Sequence, residues 1–306
     1  MTVLGSHVDD YLRLRRSLGY KLEREGLWLA DLAVYVEGAN AATLTNDLTI
    51  GWASQRAGAG PNGWAKRLGV ARKFAGYLQT IVPATQIPPS GVFPARRHRP
   101  TPYLWSQDDI VRLLEAARAL RPPIRAAGLE TLLGLLATSG MRIGEAVGLQ
   151  RDDVDLAAGV ITIRHAKFDR TRLVPLHDSV TKVLARYAVE RDRLCPRPRS
   201  TTFFVSATGG TIDRSSVDKV LRQITTTMGI RTASVHPRVH DLRHSFAVRT
   251  IIGWQHAGIN IDERITVLSV YLGHIAPADT YWYLSAAPEL MAAAADRLDA
   301  RYGTRP

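Results

Sequence analysis

Prolines at positions 83, 88, 89, 94 and 100 fall within one stretch of an otherwise helix-forming chain, residues 83–102. Proline lacks a backbone donor and clashes with the preceding helical turn, so this stretch cannot continue a helix. The run Arg96-Arg97-His98-Arg99 adds positive charge to it. We therefore expect an extended basic linker rather than packed structure, separating a first domain, residues 1–82, from a second, residues 103–306. A length of 306 residues also fits two hydrophobic cores better than one.

The chain is strongly basic. Its 40 Lys and Arg residues outnumber 28 Asp and Glu residues, giving a formal net charge of +12 and a pI near 10.2. This surplus favours a polyanionic partner such as nucleic acid, although a basic enzyme with another substrate would have the same balance. The apolar content of 45% and charged content of 22% are those of a folded protein.

Cysteine usage and the distribution of apolar residues indicate a cytoplasmic protein. The single Cys195 cannot form an internal disulfide, and no Cys/His spacing is typical of a structural zinc site. The N-terminus lacks the pattern of a signal peptide, and no apolar run approaches the roughly 20 residues of a membrane span. We expect no membrane association.

Apolar spacing in the first domain predicts four amphipathic helices. Ser6 is expected to cap the first helix, and Gly38 to close the second. Thr45 is expected to begin the third helix, and a Gly-Ala-Gly-Pro break at 58–61 separates it from the fourth. On the fourth helix four cations lie mostly away from the apolar stripe: Lys66, Arg67, Arg72 and Lys73. They would offer a duplex a row of phosphate-binding groups, or form a solvated face.

The second domain is predicted to be mainly helical with a small antiparallel sheet, an α+β arrangement. Ser106 and Asp109 form a capping box before a first helix, and a buried helix covers residues 129–137. Strands are expected at 160–163, 173–176 and, as a short element, 203–205. Further helices are expected at 240–251, at 264–271 and from Pro288 onwards.

Five short motifs in this domain carry side chains suited to phosphodiester chemistry. They are Gly-Met-Arg142-Ile-Gly-Glu145, the hairpin lysine Lys167, His240-Asp-Leu-Arg243-His244, Leu-Gly-His274, and Tyr283. Transesterification of a phosphodiester requires a nucleophile, neutralisation of charge on the non-bridging oxygens and a proton for the leaving oxygen. Guanidinium groups present rigid donor forks to phosphate, so Arg142 and Arg243 can take the place of metal ions. We expect no metal and no cofactor.

The positions of the two arginines favour this interpretation over surface ion pairs. Arg142 stands at a predicted helix start, where exposed N–H groups attract an anion, and Arg243 shares a helical face with His240. Glu145, one turn beyond Arg142, either orients that side chain or forms a plain surface pair with it. His244 either supports the site or packs between helices.

The spacing of His240 and His244 also matches a zinc-binding pair on one helix face. Against this alternative, Asp241 stands where a metalloprotease would have Glu, and the cationic Arg243 would lie beside the metal.

These motifs, in this order, resemble the catalytic domain of the tyrosine recombinase (phage integrase) family. The first ninety residues resemble the helical, SAM-like core-binding domain of the same family. The resemblance implies a DNA strand transferase in which Tyr283 attacks the scissile phosphate, leaving a 3′-phosphotyrosyl link and a free 5′-hydroxyl. It further implies a homotetramer on two double-stranded DNA sites, or a mixed assembly with related recombinases, that exchanges strands through a Holliday junction.

The resemblance also implies a role for each matched residue. Lys167 would protonate the departing 5′ oxygen, unless it is simply a turn lysine in water. His240 would assist deprotonation of the nucleophile, and His274 would hydrogen-bond the scissile phosphate. Tyr281 rivals Tyr283 as nucleophile, but the two face different sides of a helix and the spacing from His274 selects Tyr283.

The resemblance implies a clamp around DNA, with Arg96, Arg97 and Arg99 crossing the duplex. Its final helix, from Pro288 to Arg301, would dock on a neighbouring protomer or pack on its own chain. The segments around Tyr283 and at 166–177 look most like recombinases of mobile elements, which implies integration or transposition. Two rivals stay open: a type IB topoisomerase, which relaxes supercoils alone, and a non-catalytic DNA-binding regulator on the same scaffold.

Overall fold

The computed structural model describes residues 3–55, 58–94, 101–164, 171–274, 280, 281 and 283. The chain divides into two compact units, residues 1–99 and 100–306. None of the helices among the described residues has the length and apolar character needed to cross a bilayer.

The first unit is helical throughout its regular structure. Its described helices are α1 (Val3–Ser17), α2 (Glu23–Gly38), α3 (Asn46–Ser54) and α4 (Gly60–Gln79). Their apolar faces meet in one core that includes the fully buried Leu32, Trp52 and Phe74. Thr45 caps α3 as predicted, because its Oγ1 accepts a hydrogen bond from the Leu48 amide. The predicted cap at Ser6 is wrong: Ser6 lies within α1, and its hydroxyl donates to the Val3 carbonyl.

Arg67 is a structural residue of the first unit, so its place among the phosphate-binding cations is corrected. Only 6% of Arg67 is exposed, and its guanidinium lies 4.0 Å above the ring of Trp52. Its Nη2 donates to Asp31 Oδ2 at 2.9 Å and to the Trp52 carbonyl at 3.3 Å. Lys66, Arg72 and Lys73 are exposed, as expected. Helical periodicity predicted an exposed position for Arg67. This was wrong because a long side chain at the edge of the apolar stripe can fold back into the core.

Residues 83–94 pack against the helices of the first unit. This corrects the expectation of an unpacked linker for this part of the chain. Thr85 is buried, and its hydroxyl hydrogen-bonds that of Thr43 at 2.6 Å. The ring of Phe93 contacts Trp64 with 5.6 Å between centroids. Proline prevents a helix here, but it does not prevent an extended segment from covering a core. Arg96, Arg97 and Arg99 lie outside the described residues.

The second unit is mainly α with a small sheet, which confirms the predicted fold class. Its described elements are α5 (Gln107–Arg118), α6 (Pro123–Ser139), α7 (Ile143–Gly148), β1 (Val154–Asp155), β2 (Val160–Ile163), β3 (Arg172–Pro175), α8 (Asp178–Leu194), α9 (Arg214–Thr227), α10 (Val239–His256) and α11 (Ile261–Leu272). The strands pair antiparallel in the order β1-β2-β3, with Ile163 opposite Arg172.

Details at several element ends differ from the sequence prediction. Ser106 caps α5 as expected, but the Asp109 carboxylate accepts a hydrogen bond from Tyr103 instead of closing the capping box. The predicted strand at 203–205 is wrong, because the structure has only isolated bridges at Thr202 and Val205 there. The two-residue strand β1 is too short to leave a pattern in the sequence. The helix predicted from Pro288 lies outside the described residues.

Two left-handed glycines end the helices that lead into the candidate site. Gly140, at φ 61°, follows α6, and Gly273, at φ 68°, follows α11. A Cβ at Gly140 would lie 2.5 Å from Cδ1 of Phe246, and one at Gly273 would lie 2.7 Å from Nη1 of Arg172. Both backbone conformation and space therefore require glycine. These turns place Arg142 and His274 directly after the two helices.

Candidate active site

Arg142 is held in place at the start of α7. Its Nη1 donates to Glu145 Oε1 at 2.8 Å, and its Nη2 donates to the Gly273 carbonyl at 2.8 Å. Its backbone amide donates to Glu145 Oε2 at 3.0 Å, which closes a capping box. One third of the side chain is exposed, 33%, so the guanidinium is both fixed and accessible.

Glu145 is shared between two arginines. Arg172 donates to both carboxylate oxygens, at 3.0 Å to Oε1 and 2.7 Å to Oε2. Burial would raise the pKa of Glu145, but hydrogen bonds and charge from Arg172, and hydrogen bonds from Arg142, hold it at about 2. Glu145 is therefore ionised at any working pH. Its hydrogen bonds to Arg142 favour the orienting role over a plain surface pair.

Arg243 lies on α10 and only 2% of it is exposed. Its Nη1 donates to the Gly140 carbonyl at 2.7 Å and its Nη2 to the Leu272 carbonyl at 2.8 Å. Burial lowers the pKa of Arg243, while the neighbouring Tyr283 acts in the opposite direction. The turns after α6 and α11 therefore fix Arg243 beside Tyr283.

Tyr283 is buried within the same chain's site, with 2% of the residue exposed. Its ring stacks on His274 with 5.8 Å between centroids and meets His244 edge to face at 5.2 Å. Tyr281 is 44% exposed. The structure therefore places Tyr283, and not Tyr281, among the other matched residues.

Two histidines near the tyrosine, His240 and His244, are neutral near pH 7. His240 is exposed at the cleft. Desolvation by the surrounding protein and the positive charge of Arg243 lower its pKa to about 4. Burial and the neighbouring His240 lower the pKa of the buried His244 to about 3. The rings of His240 and His244 are 4.6 Å apart. His274 shares a 2.6 Å hydrogen bond between its Nδ1 and the hydroxyl of the buried Thr280.

The charges in the site do not balance. Arg142 and Arg172 hydrogen-bond the same carboxylate, whereas the hydrogen bonds of Arg243 to other elements go to main-chain carbonyls. Among the described residues, Glu145 thus offsets one of three clustered positive charges. A site with such a surplus attracts an anion, and guanidinium donors suit phosphate oxygens.

A cleft of about 450 Å³ opens beside Arg142 and His240. Two further arginines line it: Arg164, whose Nε donates to the buried Asp153 at 2.6 Å, and the exposed Arg214 at the start of α9. Sequence reasoning missed both, because single arginines outside a motif carry no positional signal. It also assigned no role to Arg172. Lys167 itself lies outside the described residues.

The site brings together most of the catalytic and supporting residues selected from the sequence. Within the described residues these are Arg142, Glu145, His240, Arg243, His244, His274 and Tyr283. No group of three or more His, Cys, Asp or Glu side chains that could hold a metal ion occurs in the described part of the chain.

Comparisons with known proteins give the family. The sequence profile of the phage integrase family matches residues 105–289. The Sinorhizobium fredii protein y4rB, named as an integrase/recombinase, is 40% identical over 313 residues, covering 100% of both chains. Tyrosine recombinase XerD of Mycobacterium tuberculosis is 35% identical over 196 residues, covering 63% of this chain and 59% of its own. The chain belongs to the phage integrase family of tyrosine recombinases, which cleave and rejoin DNA.

Solved structures share the fold. The XerH site-specific recombinase in a post-cleavage complex with its difH substrate is 18% identical, with a TM-score of 0.65, covering 95% of this chain and 84% of its own. The Tn1549 transposon integrase in complex with a circular intermediate DNA is 15% identical, with a TM-score of 0.66, covering 97% of this chain and 100% of its own. The predicted family and fold class are confirmed.

Proposed function

We propose that this protein is the site-specific DNA recombinase of a mobile element, with Tyr283 as its nucleophile. One observation carries the assignment of the nucleophile: the buried ring of Tyr283 lies against His244 and His274, beside a cluster of arginines that has a surplus of positive charge. A phenol in this setting is positioned for attack on a bound phosphate and for formation of a covalent phosphoryl ester.

The arginines would bind the scissile phosphate of double-stranded DNA. Arg142 and Arg243 direct donors to its non-bridging oxygens, and their charge stabilises the transition state as negative charge develops. Both are held by the protein beforehand, Arg142 by Glu145 and the Gly273 carbonyl and Arg243 by two main-chain carbonyls. Little reorganisation is then required when the phosphate arrives.

Proton movements would complete the reaction. The phenolic oxygen of Tyr283 forms a bond to phosphorus, the bond from phosphorus to the 5′ oxygen breaks, and that oxygen takes up a proton. The Tyr283 hydroxyl loses its proton as it attacks, and we assign that proton to the neutral His240, assisted by His244, whose ring contacts both His240 and Tyr283. His274, oriented by Thr280, would donate to the phosphate. Lys167 would protonate the 5′ oxygen.

Rejoining follows from the reverse reaction. The ester to Tyr283 conserves the energy of the phosphodiester bond, so a 5′-hydroxyl from a partner strand can displace the tyrosine without an external energy source. Two such exchanges through a Holliday junction would require two DNA sites and a tetramer of this chain, or a mixed tetramer with related recombinases. The cytoplasm is the proposed location, because the single Cys195 forms no internal disulfide and suits a reducing compartment.

DNA contacts outside the active site are assigned to two groups of cations of the first unit, the proposed core-binding domain. They are the exposed Lys66, Arg72 and Lys73 on α4, and Arg96, Arg97 and Arg99 in the basic stretch predicted from the sequence. Each neutralised phosphate would release counterions and so contribute to the salt dependence of binding.

Relatives and structures named as integrases support a mobile element. The protein y4rB aligns with 100% of this chain, and a second Sinorhizobium fredii integrase/recombinase, y4rE, with 96% at 37% identity. A transposon integrase is among the structures that share the fold.

A trapping experiment tests the proposal. Fragments of the DNA that flanks the coding region are screened for binding, and a bound fragment is then nicked near each candidate cleavage position. Cleavage releases a short oligonucleotide that diffuses away, which leaves the protein covalently attached to the longer strand. Mass spectrometry should locate the attached nucleotide on Tyr283.

Two matched variants make the result specific. Tyr283→Phe should bind the fragment normally and form no adduct, whereas Tyr281→Phe, which changes an exposed hydroxyl two residues away, should still form it. An adduct on another residue would refute the assignment. Binding without any adduct would support a non-catalytic regulator, and relaxation of one plasmid without junction products would support a topoisomerase.

A further inference from the structure

Arg172, the first residue of β3, lies beneath the candidate active site. It is largely buried, with 12% of its side chain exposed, and it lies 27 positions after Glu145 in the chain. Burying a guanidinium is unfavourable unless its donors are satisfied and its charge is paired. The contacts of Arg172 meet both requirements.

Two of the three hydrogen bonds of Arg172 go to the carboxylate that also holds Arg142. The two terminal nitrogens of Arg172 donate to the two oxygens of Glu145, and its Nε donates to the Tyr271 carbonyl at 3.1 Å. Each Glu145 oxygen therefore accepts one bond from Arg172 and one from Arg142. Arg172 thus fixes the Glu145 carboxylate, and the carboxylate in turn fixes Arg142.

Arg172 also supports the second acceptor of Arg142. The Gly273 carbonyl accepts from Arg142, and Arg172 occupies the space into which a side chain at position 273 would project. The bond from Arg172 to the Tyr271 carbonyl joins β3 to the end of α11, just before this glycine. Arg172 therefore contacts both groups that accept hydrogen bonds from the Arg142 guanidinium, the Glu145 carboxylate and the Gly273 turn.

We propose that Arg172 is a positioning residue, which acts through Glu145 and the Gly273 turn to hold Arg142 in its phosphate-binding orientation. The inference rests on the proposed function of Arg142. A guanidinium is required, because an ammonium cannot donate to both oxygens of one carboxylate in a fixed plane.

The first test compares DNA binding with cleavage. In Arg172→Gln, single-turnover cleavage of the nicked DNA fragment should fall on the order of 10- to 100-fold, as is typical when a supporting partner is lost. The dissociation constant for that fragment should change less than about 3-fold, because charge on the exposed side of Arg142 persists. Glu145→Gln should cause a similar loss, and the double variant should be scarcely slower than either single one.

The second test is the pH profile, because a merely structural arginine would not alter it. Glu145 faces Arg142 on its own helix and Arg172 from β3, and it interacts with Arg243 on α10; His240 and the Arg164–Asp153 pair line the adjoining cleft. Without Arg172, burial should raise the pKa of Glu145. The ratio of variant to wild-type cleavage should then decline from pH 8 to pH 5 in Arg172→Gln but stay level in Arg172→Lys, which retains the charge.

Arg191 offers a matched control. It is a buried arginine of α8 that donates to the Phe203 carbonyl at 2.8 Å and pairs with Asp192, remote from the motifs of the site. Arg191→Gln should lower the melting temperature without changing the rate per folded molecule or the pH ratio. Should Arg172→Gln fail to fold, Glu145→Gln and Arg172→Lys still test the role, because both should cleave more slowly than the wild type while binding the fragment normally.

Opposite outcomes separate this inference from the proposed function. Cleavage by Arg172→Gln at the wild-type rate, with a level pH ratio, would overturn the positioning role while the adduct on Tyr283 stands. Absence of a Tyr283 adduct in the wild-type protein would instead refute the proposed function.

Discussion

Nη2 of Arg142 donates a hydrogen bond to the carbonyl oxygen of Gly273 at 2.8 Å, although 131 positions separate the two residues. The carbonyl oxygen of Gly140 likewise accepts a hydrogen bond from Nη1 of Arg243, at 2.7 Å. Each arginine thus takes a main-chain acceptor from a left-handed turn at the end of a helix. The glycines of these turns are part of the binding site through their carbonyls.

Gly273→Ala should impair cleavage beyond its effect on stability. A left-handed alanine costs roughly 1–2 kcal/mol. At this position the new Cβ would also lie 2.7 Å from Nη1 of Arg172 and displace it. Gly258→Ala is the control, because Gly258 has a similar φ of 70° and a Cβ added there would have no neighbouring atom within 4 Å. Both variants should melt earlier, and single-turnover assays should show slower cleavage only for Gly273→Ala. Equal rates would contradict the role of this turn.

Arg142→Ala should slow strand cleavage far more than it weakens DNA binding. The lost contact stabilises charge that develops in the transition state, so the expected decrease is about 10²- to 10³-fold, or roughly 3–4 kcal/mol. Adduct formation over time and filter binding on the same DNA measure the two effects. Arg118→Ala removes a surface arginine paired with Glu130 and should change neither. Equal losses of binding and cleavage would refute a transition-state role.

Acidification should destabilise the second unit before its carboxylates titrate. His244 has a pKa of about 3 in the folded chain against an ordinary value near 6.5, so the unfolded chain binds more protons between these values. Stability is therefore fully present above pH 6.5 and declines as the pH falls towards 3. His240, with a pKa of about 4, acts in the same direction.

Replacing His244 isolates this effect. Melting temperatures of the wild type should decline between pH 7 and pH 5, and His244→Gln should show a smaller decline because it has no proton to bind. Glu145 contributes its own loss at lower pH, since its folded pKa is about 2 against 4.5. Identical pH slopes for the wild type and His244→Gln would show that His244 is not held neutral.

The chemistry of the site could be predicted from the sequence because few side chains suit it. A helix brings His240 and Arg243 to one face, and this spacing is visible in the chain. Tyr283 was selected over Tyr281 by its distance from His274, and the structure places Tyr283 beside Arg243. Local rules also gave the caps at Thr45 and Ser106.

Partners that meet only through tertiary structure could not be predicted. Arg172 contacts Glu145 because β3 pairs with β2 in one register, and nothing in the sequence near either residue specifies that contact. The carbonyl partners of Arg142 and Arg243 are invisible for the same reason, since every residue has a carbonyl group. Arg67 was assigned to the surface because helix spacing cannot show a side chain folding back over Trp52.

Arg67 and Lys73 should separate stability from DNA binding within α4. Arg67→Ala removes a guanidinium stacked over Trp52 and bonded to Asp31, so it should destabilise the first unit by about 1–3 kcal/mol. Lys73 is exposed, and Lys73→Ala should leave the melting temperature unchanged. If Lys73 contacts a phosphate, this variant should reduce the slope of log K against log salt by about 1. Measuring both quantities for both variants gives a crossed design, because each substitution should change one and spare the other. A weaker salt dependence for Arg67→Ala at full stability would return Arg67 to the DNA-binding surface.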